Sequence, residues 1–265
     1  MSLVYGRPDG SGAGMRPCVV DPPLVLAPMA GITDMTYRLL LRRIGGVGLV
    51  TMEFVSSEGL TRGNRRTERL LRYDPAERPL SIQIYGADSE RMAVAAARVE
   101  EMQIDACDIN MGCPANKVLK GCAGAGLMRD LDKARAIVAA CKKALPTTPL
   151  TVKFRLGIND QTENYLELAR ICEGEGAAAV ALHARTAKQM YAGRADWSKI
   201  ARLKETVPAK RSSNPPASIH LATAASSAGE SGPVSEKTST ASSRLIRSTV
   251  GPRRISANGL SARSR

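Results

Sequence analysis

Aromatic side chains are scarce in this sequence: two Phe, one Trp and six Tyr among 265 residues. Its core must therefore be aliphatic, because rings cannot supply much of the buried area. No apolar run approaches the roughly 20 residues that span a bilayer, so no membrane helix is expected. The first 23 residues are rich in Gly and Pro and lack the apolar stretch of a secretory signal. Six cysteines, at 18, 107, 113, 122, 141 and 172, form no Cys-x-x-Cys pair. That spacing disfavours a zinc cage, and no metal is expected. Without an export signal they read as free thiols in a reduced, cytoplasmic chain. No Gly-x-Gly-x-x-Gly follows the first apolar run, which argues against a dinucleotide-binding sheet. No segment marks a protein partner.

What is present is positive charge, unevenly spread. Residues 1–208 hold 29 basic and 23 acidic side chains, and residues 209–265 hold 9 and 2. The modest excess in the first part suits either a solvated surface or an anionic partner such as RNA. The last part combines 14 serines in 57 residues with no aromatic. Such a composition cannot bury enough apolar area to order itself, so 209–265 reads as a disordered Ser/Arg-rich tail. Residues 1–23 read as a disordered lead.

Between these ends, 24–208 alternates short apolar runs with helical patterns. The runs are 25–28, 48–54, 80–85, 104–110, 150–155 and 178–183. Helical stretches follow at 34–44, 90–102, 130–143, 163–172 and 197–205. Six βα units imply a parallel sheet with helical crossovers. An open doubly wound sheet and a closed barrel both satisfy that. Polar residues decide for the barrel. Met29, Glu53, Gln83, Asn110, Lys153 and His183 all fall at strand C-terminal ends, which converge on one mouth in a (β/α)₈ TIM barrel. Val25, Ile84 and Val180 are expected on the inner face. Two further strands are not visible, so the barrel reads as truncated after about six units.

The densest chemistry lies at Asp108-Ile109-Asn110-Met111-Gly112-Cys113-Pro114. A buried run ends there in a turn carrying an amide and a thiol. Cys113 alone would also fit as a small buried cysteine in a turn. Six segments in order make a recognisable set: Leu26-Ala27-Pro28-Met29-Ala30-Gly31-Ile32-Thr33-Asp34, Ile82-Gln83-Ile84, 108–114, 121–127, Lys153-Phe154-Arg155 and His183-Ala184-Arg185-Thr186. Over roughly 24–205 the chain resembles the tRNA-dihydrouridine synthases, flavin-dependent enzymes that reduce a uridine in tRNA. The family fold is a flavin-binding (β/α)₈ barrel followed by a small helical domain. Its seventh strand ends in Asn-Gly-Asp and its eighth in Gly-Arg. Neither motif is found in residues 209–265, and no counterpart of the helical domain is expected there.

The resemblance implies the roles. FMN would carry the hydride and NADPH would reduce it. Cys113 would protonate C5 of the uracil, since an ordinary thiol with a pKa of about 8.5 still holds its proton at pH 7. Pro28, Met29, Ala30, Gln83, Lys153 and His183 would hold the flavin. Lys153 would stabilise its reduced anionic form. Asn110, Arg155 and Arg185 would engage the substrate, whose base must leave its stack to reach the pocket. Lys117, Lys120 and Arg129 flank Cys113 and could grip RNA, or simply line a solvated loop. Two other readings stay open. One is an impaired fragment that binds RNA nonspecifically. The other is a flavin-barrel oxidoreductase acting on a free pyrimidine.

Overall fold

The computed structural model describes residues 2–6 and 14–207. Two short strands, β1 (Leu3–Tyr5) and β2 (Cys18–Val20), pair antiparallel. Next come β3 (Val25–Leu26), α1 (Met35–Ile44), β4 (Leu49–Thr51) and the short β5 (Val55–Ser56). Two short helices, α2 (Ser57–Thr61) and α3 (Arg65–Leu70), precede β6 (Leu80–Tyr85). Then follow α4 (Ser89–Glu101), β7 (Ala106–Met111), α5 (Asn116–Lys120) and α6 (Leu131–Ala144). The chain continues with β8 (Leu150–Arg155), α7 (Tyr165–Gly174), β9 (Ala179–His183) and α8 (Trp197–Thr206). None of these helices is long and apolar enough to cross a membrane.

The strands stand in sequence order, β3-β4-β6-β7-β8-β9, and every pair is parallel; β5 also pairs with β6. A doubly wound sheet would reverse its order part-way. This one does not. It is a curled, TIM-barrel-like half-barrel of six strands with helices between them.

Register sorts the side chains into two faces. Ile82 pairs with Cys107, Ile84 with Ile109, Ile109 with Val152, and Val152 with Val180. These residues share one buried cluster with Met92, Val99, Ile137, Val138 and Leu168 of the helices. Fully burying an aliphatic side chain of this size contributes about 1.5–3 kcal/mol, so this layer is the main source of stability. Ile84 and Val180 thus face the helices, not the barrel interior as expected from the sequence. Ile84 alternates with Gln83, and Val180 with the small Ala179 and Ala181, so the bulkier aliphatic side chain goes to the helix-covered face. Val25 does face inward.

The inner face carries small or polar residues. Gln83 is in register with Asp108, Asp108 with Thr151, and Asn110 with Lys153. At its lower end lie Leu49, Ala106, Ala178 and Ala179, and the β1–β2 hairpin packs on them through Tyr5, Cys18 and Val20. Arg16 fastens the hairpin: its Nε donates to Thr147 Oγ1 at 3.1 Å and an Nη to Thr148 Oγ1 at 2.7 Å. The expectation of a disordered lead over 1–23 therefore fails for residues 3–5 and 14–23. Gly and Pro content masked an apolar pair of strands that covers an otherwise bare barrel floor. The tail at 209–265 lies outside the described residues.

One buried ion pair ties the first unit to the third. Arg38 of α1 meets Glu77 at 2.5 Å, and both side chains are almost fully buried. Glu77 also accepts from the Asp74 N–H at 2.7 Å, and Arg38 donates to the Thr33 carbonyl at 2.5 Å.

Candidate active site

Four inward side chains form a chain of hydrogen bonds across β6, β7 and β8. Thr151 Oγ1 donates to one Asp108 oxygen at 2.5 Å, and Gln83 Nε2 donates to the other at 2.6 Å. Asn110 Nδ2 then donates to Gln83 Oε1 at 2.8 Å. That leaves the Asn110 carbonyl oxygen to accept from the Gly112 N–H at 3.1 Å and the Cys113 N–H at 2.9 Å. Each amide can face only one way in this sequence of donors and acceptors. The relay therefore fixes the loop that bears Cys113.

Arg155 holds the same loop from the other side. Its Nε donates to the Gly112 carbonyl at 2.8 Å, and an Nη donates to Met190 at 2.7 Å and Thr186 at 3.0 Å. Behind the loop, the Cys113 carbonyl accepts from Ala125 N–H at 3.1 Å. Gly124 makes that approach possible. Its φ is +56°, and a Cβ there would lie 2.8 Å from the Cys113 oxygen. Cys113 itself is partly exposed, whereas Cys107, Cys141 and Cys172 are buried.

Electrostatics follow from burial. Burial lowers the Lys153 ammonium from its ordinary 10.5 to about 8; Asp108 opposes the shift and Arg155 reinforces it. Lys153 makes no hydrogen bond or ion pair with the described residues, so it remains a mostly cationic, unengaged group at pH 7. Burial raises Asp108, against the bonds from Gln83 and Thr151 and the field of Lys153. His183, in register with Arg155, has an Arg185 Nη 3.3 Å from its Nε2. Burial, with Arg155, Lys153 and Arg185 nearby, pushes its imidazole down to about 3.

His183 sets a pH test. Unfolded, it would titrate at its ordinary 6.5, so between pH 6.5 and 3 the unfolded chain binds more protons than the folded one. This group therefore makes stability fall as pH drops through that window, by at most about 1.4 kcal/mol per pH unit. His183→Asn is expected to flatten the slope in denaturant melts at about pH 4–6. An unchanged slope would show that the ring is not held in its neutral form.

The structure thus brings Gln83, Asn110, Lys153, Arg155, Cys113 and His183 to the carboxyl ends of adjacent strands. Arg185 stands beside His183, and its Nε is buried with no partner among the described residues. Pro28 and Lys153 line one interior cavity with Asp108 and Thr151. Met29 and Ala30 lie in a turn tied by Thr33, whose N–H donates to the Met29 carbonyl at 3.0 Å. Glu53 caps that turn by accepting from the Gly31 N–H at 2.6 Å.

Three participants went unassigned in the sequence. Asp108 and Thr151 anchor the relay; an acid inside an apolar run was the available signal for the first. Tyr191, 59% exposed, lies with its ring 5.6 Å from the Arg155 guanidinium carbon and 6.2 Å from the His183 ring. Nothing in its local sequence marks it.

Residues 25–214 match the family model described as Dihydrouridine synthase (Dus). The chain belongs to the dihydrouridine synthase family. A probable tRNA-dihydrouridine synthase of Mycobacterium tuberculosis is 43% identical over 200 residues, 72% of this chain and 51% of the relative. One from Rhodobacter capsulatus is 41% identical over 189 residues, covering 71% and 58%. The tRNA-dihydrouridine synthase B of Pseudomonas aeruginosa is 39% identical over 184 residues, covering 69% and 55%. The chain therefore spans about half the length of the curated relatives it matches. All the candidate residues placed above, from Pro28 to Tyr191, fall inside the matched segment.

Proposed function

We propose that this chain reduces the C5–C6 bond of uridine in tRNA to 5,6-dihydrouridine, in the cytoplasm, with FMN as bound cofactor and NADPH as reductant. The observation that carries the reading is the Cys113 loop, held from two sides by Asn110 and Arg155 at the mouth of a dihydrouridine synthase barrel. The residues present suit a flavin. Small side chains at Ala27, Ala179 and Ala181 leave an interior cavity open beneath the mouth. The unengaged Lys153 ammonium and the unpartnered Arg185 Nε offer donors to a ligand rich in acceptors.

Lys153, Arg185 and the cavity beside Pro28 would hold FMN, which when bound would supply the hydride for one carbon of the double bond. Cys113 holds the proton for C5 and, after giving it up, is recharged from solvent. Lys153, cationic at neutral pH, offsets negative charge that gathers in the pocket. Neutral His183 and the Arg185 beside it supply further donors. Gln83 and Asn110 already spend most of their capacity on the relay, so their main work is to set the Cys113 loop. Each keeps one amide hydrogen for a ligand.

The test is direct. The chain is incubated with unmodified tRNA transcript, FMN and NADPH, and the nucleosides are analysed by mass spectrometry. A gain of two mass units on uridine is expected. Reduction of free uracil but not tRNA, or of neither, would overturn the assignment.

A further inference from the structure

Between β5 and β6 the chain carries a run of arginines that the mouth does not use. Arg62, Arg65, Arg66, Arg69 and Arg72 fall within residues 62–72, where Glu68 is the only acid. All five are exposed. Arg62 pairs with Glu58 at 2.7 Å. Arg65, Arg66, Arg69 and Arg72 form no ion pair among the described residues.

Stability alone does not select this arrangement. Arg65 and Arg69 stand one turn apart on α3, where like charges cost a helix about 0.2–0.5 kcal/mol. A helix of six residues also has no independent stability. It is held from outside instead. The Asn64 side chain accepts from the Arg66 and Thr67 N–H groups at 2.9 and 3.2 Å. Thr67 is buried against Gly59, where a Cβ would meet its Oγ1 at 2.4 Å. Leu71 is buried in the main core. The scaffold therefore presents mutually repelling cations from a fixed platform.

The platform starts at the mouth. Ser56, the last residue of β5, is in register with Tyr85, two residues beyond Gln83, and α2 begins at the next residue. α3 packs back against β5. An anion that engaged both the pocket and this face would need charges repeated along a chain. The geometry points to α3 and its flanks as a docking face for the phosphate backbone of an RNA substrate. Arginine suits it, because its planar fork pairs bidentately with phosphate. This inference rests on the proposed tRNA activity, since it concerns how that substrate is held.

The experiment compares Arg65→Gln/Arg69→Gln with a charge-matched control, Lys143→Gln/Lys204→Gln. Both control lysines are exposed and sit in the last turns of α6 and α8, away from the mouth ends of the strands. Binding to an unmodified tRNA transcript is titrated at several salt concentrations. Each phosphate contact contributes about 0.7–0.9 to the log–log salt slope. The α3 variant is expected to lose about 1.5 from the slope and to bind roughly tenfold or more weakly at 0.1 M salt. The control should stay near the parent. Equal slopes for the two variants would overturn the docking face, even if the chain reduces uridine. A slope loss confined to the α3 variant would uphold the face, even if no uridine were reduced. Vesicles containing phosphatidylglycerol provide the competing arm. Weaker vesicle binding by the α3 variant, with an unchanged tRNA slope, would assign the face to a membrane and overturn the proposal.

Discussion

Cys113→Ala is expected to lower turnover on tRNA by about 10²–10⁴-fold, the range that a positioned general acid contributes. Flavin content and thermal stability should hardly change. The reason lies in how the loop is fastened. The Cys113 N–H donates to Asn110, and its carbonyl accepts from Ala125. Both bonds are backbone bonds at residue 113, so alanine keeps them. The thiol is partly exposed and fills no core space, so its removal leaves little cavity. Cys122→Ala is the matched control, because Cys122 is an exposed free thiol outside this loop. Turnover, flavin absorbance and melting curves would be measured for both. Product formation by Cys113→Ala at the parent rate would remove the thiol from the chemistry.

Breaking the Arg38–Glu77 pair should produce the largest loss of stability, about 3–5 kcal/mol for Glu77→Ala. Both side chains are almost fully buried, so the survivor would be an uncompensated charge in a dry site. Glu77 also completes a capping box with Asp74, and Arg38 bonds the Thr33 carbonyl. The loss would therefore reach the turn at Met29 and Ala30. Arg38→Met/Glu77→Leu should recover much of the deficit, because it removes both charges and keeps the volume. Denaturant midpoints of parent, single and double variants decide this. A single variant within about 1 kcal/mol of the parent would mean that water reaches the pair.

Much of the strand and helix pattern was legible. β6 and β8 run where alternation placed them, at 80–85 and 150–155. On α6, inside the stretch expected at 130–143, the apolar residues at helical spacing, Ala134, Ile137, Val138 and Cys141, are all buried. These elements obey one period each, set by one buried face. The helix at 89–101 begins one residue before the stretch expected at 90–102 and is capped by Asp88, whose side chain accepts from the Arg91 N–H. Short α2 and α3 escaped because five or six residues cannot display a helical period.

The site divides in the same way. Strand ends locate Gln83, Asn110, Lys153 and His183, because topology alone brings such ends together. The order of hydrogen bonds from Thr151 to the Cys113 N–H depends on register between strands distant in sequence. That register is visible only once they pair. Asn110 shows the consequence: the resemblance implied a contact to the substrate, and its carbonyl oxygen accepts from its own loop, leaving one amide hydrogen for a ligand.

The hairpin on the barrel floor has a temporal counterpart. Tyr5 is synthesised well before its seat, which includes Leu49, Ala106 and Ala179, and before Thr147 and Thr148, which fasten the hairpin. At about 5–20 residues per second, roughly 10–35 s pass on the ribosome before that seat exists. Until then the β1–β2 strands have nothing to lie against. The β1–β2 segment is thus expected to settle only after β9 has supplied Ala179. Nascent chains halted before and after Ala179 should differ sharply in how readily a protease cuts near Cys18.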